Sequence, residues 1–152
     1  MTTAATTPEE PRRDPRIADT LAFRLLVAAN RVAQPFAAEW GDRLGVSLTE
    51  WRCIMALAIE PDGSGEDVSR RMGLDKMTVS RALHRLRRGG FTLRRPAGPN
   101  RNAWRLTERG WAVVDAIRPA ALERDRTAFE GLTAHERELV GRVLDRIIRD
   151  QT

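Results

Sequence analysis

Apolar residues recur at helical spacing along most of this chain, and the interruptions in that rhythm mark out its elements. Ile17, Leu21, Leu25, Ala28, Val32 and Phe36 follow one another at three or four residues, predicting an amphipathic helix from about Pro15 to Trp40. Leu26 and Ala29 widen its stripe beyond what one partner helix needs, so packing on a second subunit is expected. Gly41 and Gly45 bracket a turn, after which Ser47-Leu48-Thr49-Glu50 has the form of a capping box, hydroxyl and carboxylate each serving the other's backbone donor. The helix it opens is expected to reach about Ala58, with Trp51, Ile54, Met55 and Ala58 as its buried stripe and Cys53 on the shoulder. Pro61, Gly63 and Gly65 end it.

The pattern then tightens. Val68 and Met72 lie four apart on one face of a short helix, and Gly73 can take the left-handed conformation that closes it. Leu74 is placed to plug the corner, and Asp75 to cap a second helix whose buried face is Val79, Ala82, Leu83 and Leu86. The opposite face carries Lys76, Thr78, Ser80, Arg81, His84, Arg85 and Arg88, a mixture of hydrogen-bonding side chains that suit base edges and cations that suit phosphates. Gly89 and Gly90 close the helix, and the periodicity switches to two. Phe91 and Leu93 alternate with Thr92 and Arg94, Pro96 to Asn100 makes a tip, and Trp104 and Leu106 alternate on the return. Arg94, Arg95, Arg101 and Arg105 are left for solvent. Helix, tight turn, helix and basic hairpin is how a winged helix-turn-helix is written.

Beyond the hairpin, Thr107 is a candidate N-cap for a long helix in which Trp111, Val114 and Ile117 share a face, with Pro119 expected to kink or divide it. Thr133-Ala134-His135-Glu136 is another capping box, opening a last helix with Leu139, Val140, Val143, Leu144, Ile147 and Ile148. So apolar a stripe at a chain end predicts a dimer interface shared with the first helix. The fold class is therefore mainly α with a small β-hairpin wing. The divisions are a disordered tail at 1–15, an N-terminal dimerisation helix at 16–46, a winged helix-turn-helix at 47–106 and C-terminal dimerisation helices at 107–152.

Charge sharpens this picture. From Gly65 to Leu106 eleven basic residues face three acidic ones, a net of +8, whereas the whole chain is +5 and the remainder is therefore −3. Positive charge concentrated on one module is expected where a single surface meets a polyanion. Cys53 is the sole cysteine, which excludes an intramolecular disulfide and suits a reducing, cytoplasmic setting. The Thr-, Pro- and charge-rich start contains no apolar segment like a secretory signal, and the longest apolar run, Cys53 to Ile59, is too short for a membrane span. For an enzyme, no usable constellation is present. His84 and His135 lie in different elements, no cluster has metal-ligand spacing, and no glycine-rich phosphate loop occurs, so neither metal nor cofactor is expected.

Several short motifs, in order, resemble the MarR family of bacterial transcription regulators over Ile17 to about Ile148. They are Leu48-Thr49, Val68 with Gly73, Thr78-Val79-Ser80-Arg81, Gly90-Phe91, and Leu106-Thr107 followed by Gly110. The resemblance implies an obligate homodimer on double-stranded DNA at a pseudo-palindromic operator, acting as a ligand-responsive repressor, each wing lying along the backbone and reaching the minor groove. Members commonly carry Asp-x-Arg at the wing tip; this chain has Asn100-Arg101-Asn102. Either Arg101 takes the insertion role or the wing touches phosphates alone. A winged helix used only for protein–protein contact is the alternative, since a fold does not dictate its use.

The resemblance also supplies the idea of a small aromatic acid as effector. Phe36 and Trp40, Trp51 and Arg52, and Trp111 come from three elements expected to meet where the module joins the dimer. Aromatic walls with one guanidinium suit a planar carboxylate. The same Trp side chains could instead fill the junction. Redox sensing in the family uses a cysteine near the start of the first helix; Cys53, in a buried stripe, is assigned to packing.

Overall fold

The computed structural model describes residues 14–36, 40–99 and 101–150, and the side chains of 34–36 lie outside that description. Residues 1–13 of the expected tail and the wing-tip position Asn100 therefore also fall outside it, while Asp14 and Pro15, expected to end that tail, cap and begin α1. The element order is α1 (Pro15–Ala18), α2 (Leu21–Phe36), α3 (Asp42–Leu44), α4 (Leu48–Ile59), α5 (Gly65–Met72), α6 (Lys76–Arg88), β1 (Thr92–Pro96), β2 (Asn102–Leu106), α7 (Glu108–Ala128) and α8 (Ala134–Asp150). Met1–Val32 and Ala33–Thr152 form separate compact units.

The first apolar stripe does not run as one helix. A short α1 ends at Ala18, and the chain restarts at Leu21 because the Thr20 hydroxyl accepts from the Phe23 N–H at 3.2 Å, a local cap that competes with helix continuation.

In the second unit the core is a cluster contributed by α4, α6, the wing and α7. Cys53, Ile54 and Leu57 of α4 meet Val79, Ala82, Leu83 and Leu86 of α6, with Val68, Phe91, Trp104, Leu106, Val113, Val114 and Ile117 completing it. The capping box that opens α4 is present, Ser47 N–H donating to Glu50 Oε2 at 2.7 Å and Glu50 N–H to Ser47 Oγ at 3.3 Å. The buried stripe of α4 is rotated from the one expected. Cys53 is fully buried at its centre beside Ile54, Ala56 and Leu57, while Trp51, Met55 and Ala58 are only half-buried. α4 packs on α5, α6, α7 and β2, so its inward face is wider than a single stripe.

Between α5 and α6 the turn forms as the sequence requires. Gly73 has φ +60°, and its successor's N–H returns to Ser69 O at 3.1 Å. Ser69 is buried and its hydroxyl donates to Leu74 O at 2.6 Å, locking the corner. Asp75 caps α6 by accepting from Thr78 N–H at 2.9 Å.

β1 and β2 pair antiparallel, with Thr92 opposite Leu106 and Arg94 opposite Trp104. Directly opposed residues share a face of the ladder, so Thr92, and not Leu93, is the inward residue of β1. Thr92 is buried and Leu93 half-buried. The hairpin is tied to the rest at its root: Trp104 N–H donates to Gly63 O at 3.0 Å, Thr107 N–H to Phe91 O at 3.0 Å, and the Thr107 hydroxyl to Gly90 O at 2.7 Å. Thr107 also caps α7.

α7 runs unbroken for 21 residues through Pro119. Its inward face is Gly110, Val113, Val114 and Ile117, while Trp111 is 39% exposed and does not share that face. Gly110 permits a close approach: a Cβ there would sit 2.3 Å from Phe91 O. α8 begins at the expected capping box, Thr133 N–H donating to Glu136 Oε2 at 2.8 Å. None of its residues is buried, and Leu139, Val143 and Ile147 remain between 41% and 49% exposed.

Candidate nucleic-acid interface

The helix-turn-helix presents the polar face of α6 because the apolar one is consumed by the core. Val79, Ala82, Leu83 and Leu86 are at most 1% exposed. Lys76, Arg81, His84, Arg85 and Arg88 are exposed, and Thr78 and Ser80 are half-buried. Arg94, Arg95 and Arg101 are exposed on the wing. Between recognition helix and wing lies an open cleft of about 650 Å³, lined in part by Lys76, Ser80, His84, Arg94, Arg101 and Trp104. The His84 ring meets Trp104 edge-on, with centroids 5.6 Å apart, and the Arg94 guanidinium lies 5.9 Å from the Trp104 ring. Trp104 thus forms the apolar floor on which two of the cleft's basic groups rest.

Several of these cations already have partners. Arg85 Nε donates to Glu50 Oε1 at 2.7 Å, Lys76 Nζ to Glu66 Oε1 at 2.7 Å, and an Arg101 nitrogen to Asp67 Oδ2 at 3.3 Å. Arg105, expected to be a solvent residue, is half-buried and donates through Nε to Asp62 Oδ1 at 2.9 Å. Glu50, Asp62, Glu66 and Asp67 were not singled out by the sequence pattern as partners of these basic groups. The one signal available was that Glu66 and Asp67 fall in the first turn of a helix, where acids are ordinarily explained by capping and the helix dipole.

Local electrostatics follow from these bonds. The Ser64 hydroxyl and backbone N–H, with Arg70, hold the Asp67 carboxyl down to about 2. Burial alone would push Glu50 up, but the Ser47 backbone N–H, Arg85 and the Ser47 hydroxyl outweigh it and keep the group below its usual range. Burial pushes the Cys53 thiol up to about 12, so it stays protonated.

The five residues considered for an effector are distributed as follows. Trp40 and Trp51 are partly buried against the core, Arg52 is half-buried, and Trp111 is largely at the surface. The Phe36 side chain lies outside the described residues. Arg43, not anticipated, stands over the Trp40 ring at 4.9 Å from its centroid.

Residues 44–99, which hold α4, both helices of the turn and the outgoing wing strand, match the model of the MarR family. Over these residues the chain is similar to the MarR family of transcription regulators. Solved structures agree with the MarR fold over nearly the full length. A probable transcriptional regulator from Pseudomonas aeruginosa is 28% identical, with 87% of this chain and 99% of that one covered at a TM-score of 0.70. A MarR/EmrR family transcriptional regulator from Acinetobacter sp. ADP1 is 24% identical, covering 92% and 100% at 0.76. Bordetella bronchiseptica BpsR, whose DNA binding is regulated by 6-hydroxynicotinic acid, is 23% identical, covering 84% and 97% at 0.71. No curated protein matches the chain by sequence. Among the described residues, no helix is long and apolar enough to cross a membrane.

Proposed function

We propose that this chain is a sequence-specific DNA-binding transcription regulator that acts as a homodimer on a pseudo-palindromic operator. The observation that carries the reading is the outward side of α6, which carries Thr78, Ser80, Arg81 and Arg88 and whose Lys76, Ser80 and His84 line a cleft with Arg94 and Arg101 of the wing. α6 supplies base contacts, with Arg81 the bidentate reader of guanine, and the wing arginines neutralise phosphates. The match of 44–99 to the MarR family supports it. The uncovered stripe of α8 supports the dimer, whose two-fold axis sets half-site centres about 34–36 Å apart. Selecting bound duplexes from a random pool yields the operator. Arg81→Ala is then expected to weaken operator binding by about 1–3 kcal/mol and relax one base pair per half-site. Equal loss on operator and random DNA would make Arg81 a phosphate contact, and retained binding at high salt would favour a protein-binding role for the wing.

Repression relieved by a small aromatic acid is the finer part of this reading. Control of BpsR by 6-hydroxynicotinic acid supports that ligand class. The Trp40 indole N–H, buried with no acceptor among the described residues, supports a site beside Trp40, Trp51, Arg52 and Trp111. Titrating salicylate or nicotinate derivatives while following Trp fluorescence and DNA release tests it. Binding that survives Arg52→Ala unchanged would assign the carboxylate to another cation, for which Arg43 is placed.

A further inference from the structure

Two adjacent carboxylates in the first turn of α5 reach in different directions across the cleft. Glu66 bonds Lys76 at the start of the recognition helix, at 2.7 Å, and Asp67 bonds Arg101 on the wing, at 3.3 Å and 34 residues away in sequence. All four side chains line the same cleft. Capping accounts for Asp67 in part, since it also accepts from Ser64 N–H at 2.8 Å. It does not account for Glu66, which takes no part in the cap.

We propose that Glu66 and Asp67 are built-in competitors of the DNA phosphates, which set how strongly this protein binds DNA irrespective of sequence. The proposal rests on the DNA-binding reading above. In the free protein they occupy Lys76 and Arg101, so a phosphate oxygen gains each cation only by displacing a carboxylate. A cation that arrives already neutralised brings little net charge to the duplex and releases few of its counterions. The sequence-independent part of the affinity is thereby held down, while base contacts from Thr78, Ser80 and Arg81 are unaffected. More of the binding then depends on the correct bases.

Glu66→Gln removes the charge of the carboxylate that is not part of the cap. Binding to operator and to a random duplex, measured from low to moderate salt, is expected to strengthen about two- to fivefold on both, with the salt slope steeper by close to one ion. The gain should vanish in a Lys76→Gln background. Glu60→Gln, which frees Arg71 outside this cleft, should leave binding near the starting value. Asp67→Asn keeps an acceptor for Ser64 N–H and should behave in parallel, but it also releases Arg70, bonded at 2.6 Å, so its gain should fall with Arg101→Ala and vanish when Arg70 is replaced as well. A gain from Glu66→Gln that persists without Lys76 would mean a general field effect and overturn the proposal, as would no gain at all. Those outcomes leave DNA binding itself standing. Failure of the unaltered protein to bind any duplex at low salt overturns both.

Discussion

Arg85 Nε and Glu50 Oε1 are 2.7 Å apart, joining the recognition helix to the capping box of α4 across 35 residues of sequence. The Glu50 side chain is only 11% exposed, and it also serves the Ser47 N–H. Arg85 is therefore a tie between the reading helix and its support. A buried carboxylate robbed of its cation is costly to keep charged, so the tie governs how α6 sits.

Arg85→Ala is expected to destabilise the fold by about 1–3 kcal/mol, because it leaves Glu50 with an unmet charge. Urea midpoints across pH provide the check. Glu50 has a lowered folded value, so its contribution is present above the ordinary carboxylate value of 4.5 and is lost as pH falls through the lowered one. The variant should therefore show a shallower loss on the acid side. Unchanged stability with an altered base preference would instead make Arg85 a reader of DNA.

Gly110→Ala should destabilise by about 1–3 kcal/mol, since its methyl group would meet the Phe91 carbonyl oxygen at 2.3 Å and force α7 from the wing's root. Thermal unfolding is the measurement, and an unshifted midpoint would show that the two elements separate freely.

Cys53→Val is expected to leave DNA binding and its response to peroxide as they are. The thiol is fully buried and protonated, so it is not a nucleophile at neutral pH. Binding assays before and after oxidant decide this, and loss of a peroxide response in the variant would assign Cys53 a sensing role.

Val143→Glu places a charge in the exposed stripe of α8, among Leu139 and Ile147. On the proposed reading, sedimentation should show a dimer for the unaltered chain and a monomer for the variant, with weaker operator binding to match. A variant that sediments as the dimer would move the interface elsewhere.

Features written within a few residues were legible in the sequence. Ser47 with Glu50, Asp75 with Thr78, Gly73 at its left-handed corner and Thr133 with Glu136 all depend on local reach. What depended on the packed fold was not. Glu50–Arg85 and Asp67–Arg101 join residues 35 and 34 apart, and no local pattern pairs them. That Cys53 sits at the centre of the buried face and not on its shoulder needed the knowledge that α4 is covered by several elements. The spacing of Trp111 to Val114 and Ile117 points it inward, yet the face that contacts the core is set by Gly110 fitting beneath Phe91 O. Of the kink or division expected at Pro119, the division does not occur, since α7 runs through it.

The hairpin's fastenings to Gly63, Gly90 and Phe91 all lie below its tip, at Trp104 and Thr107. Nearer the tip, Ala97 N–H bonds Arg101 O at 2.9 Å and Arg101 N–H bonds Gly98 O at 3.3 Å, while the Arg101 side chain reaches Asp67 at 3.3 Å. Such a wing is a cassette: its tip can be exchanged for a loop of another length at the cost of the Arg101–Asp67 bond, leaving the bonds at its base in place. Retargeting by loop grafting is therefore open to this scaffold without redesign of its core.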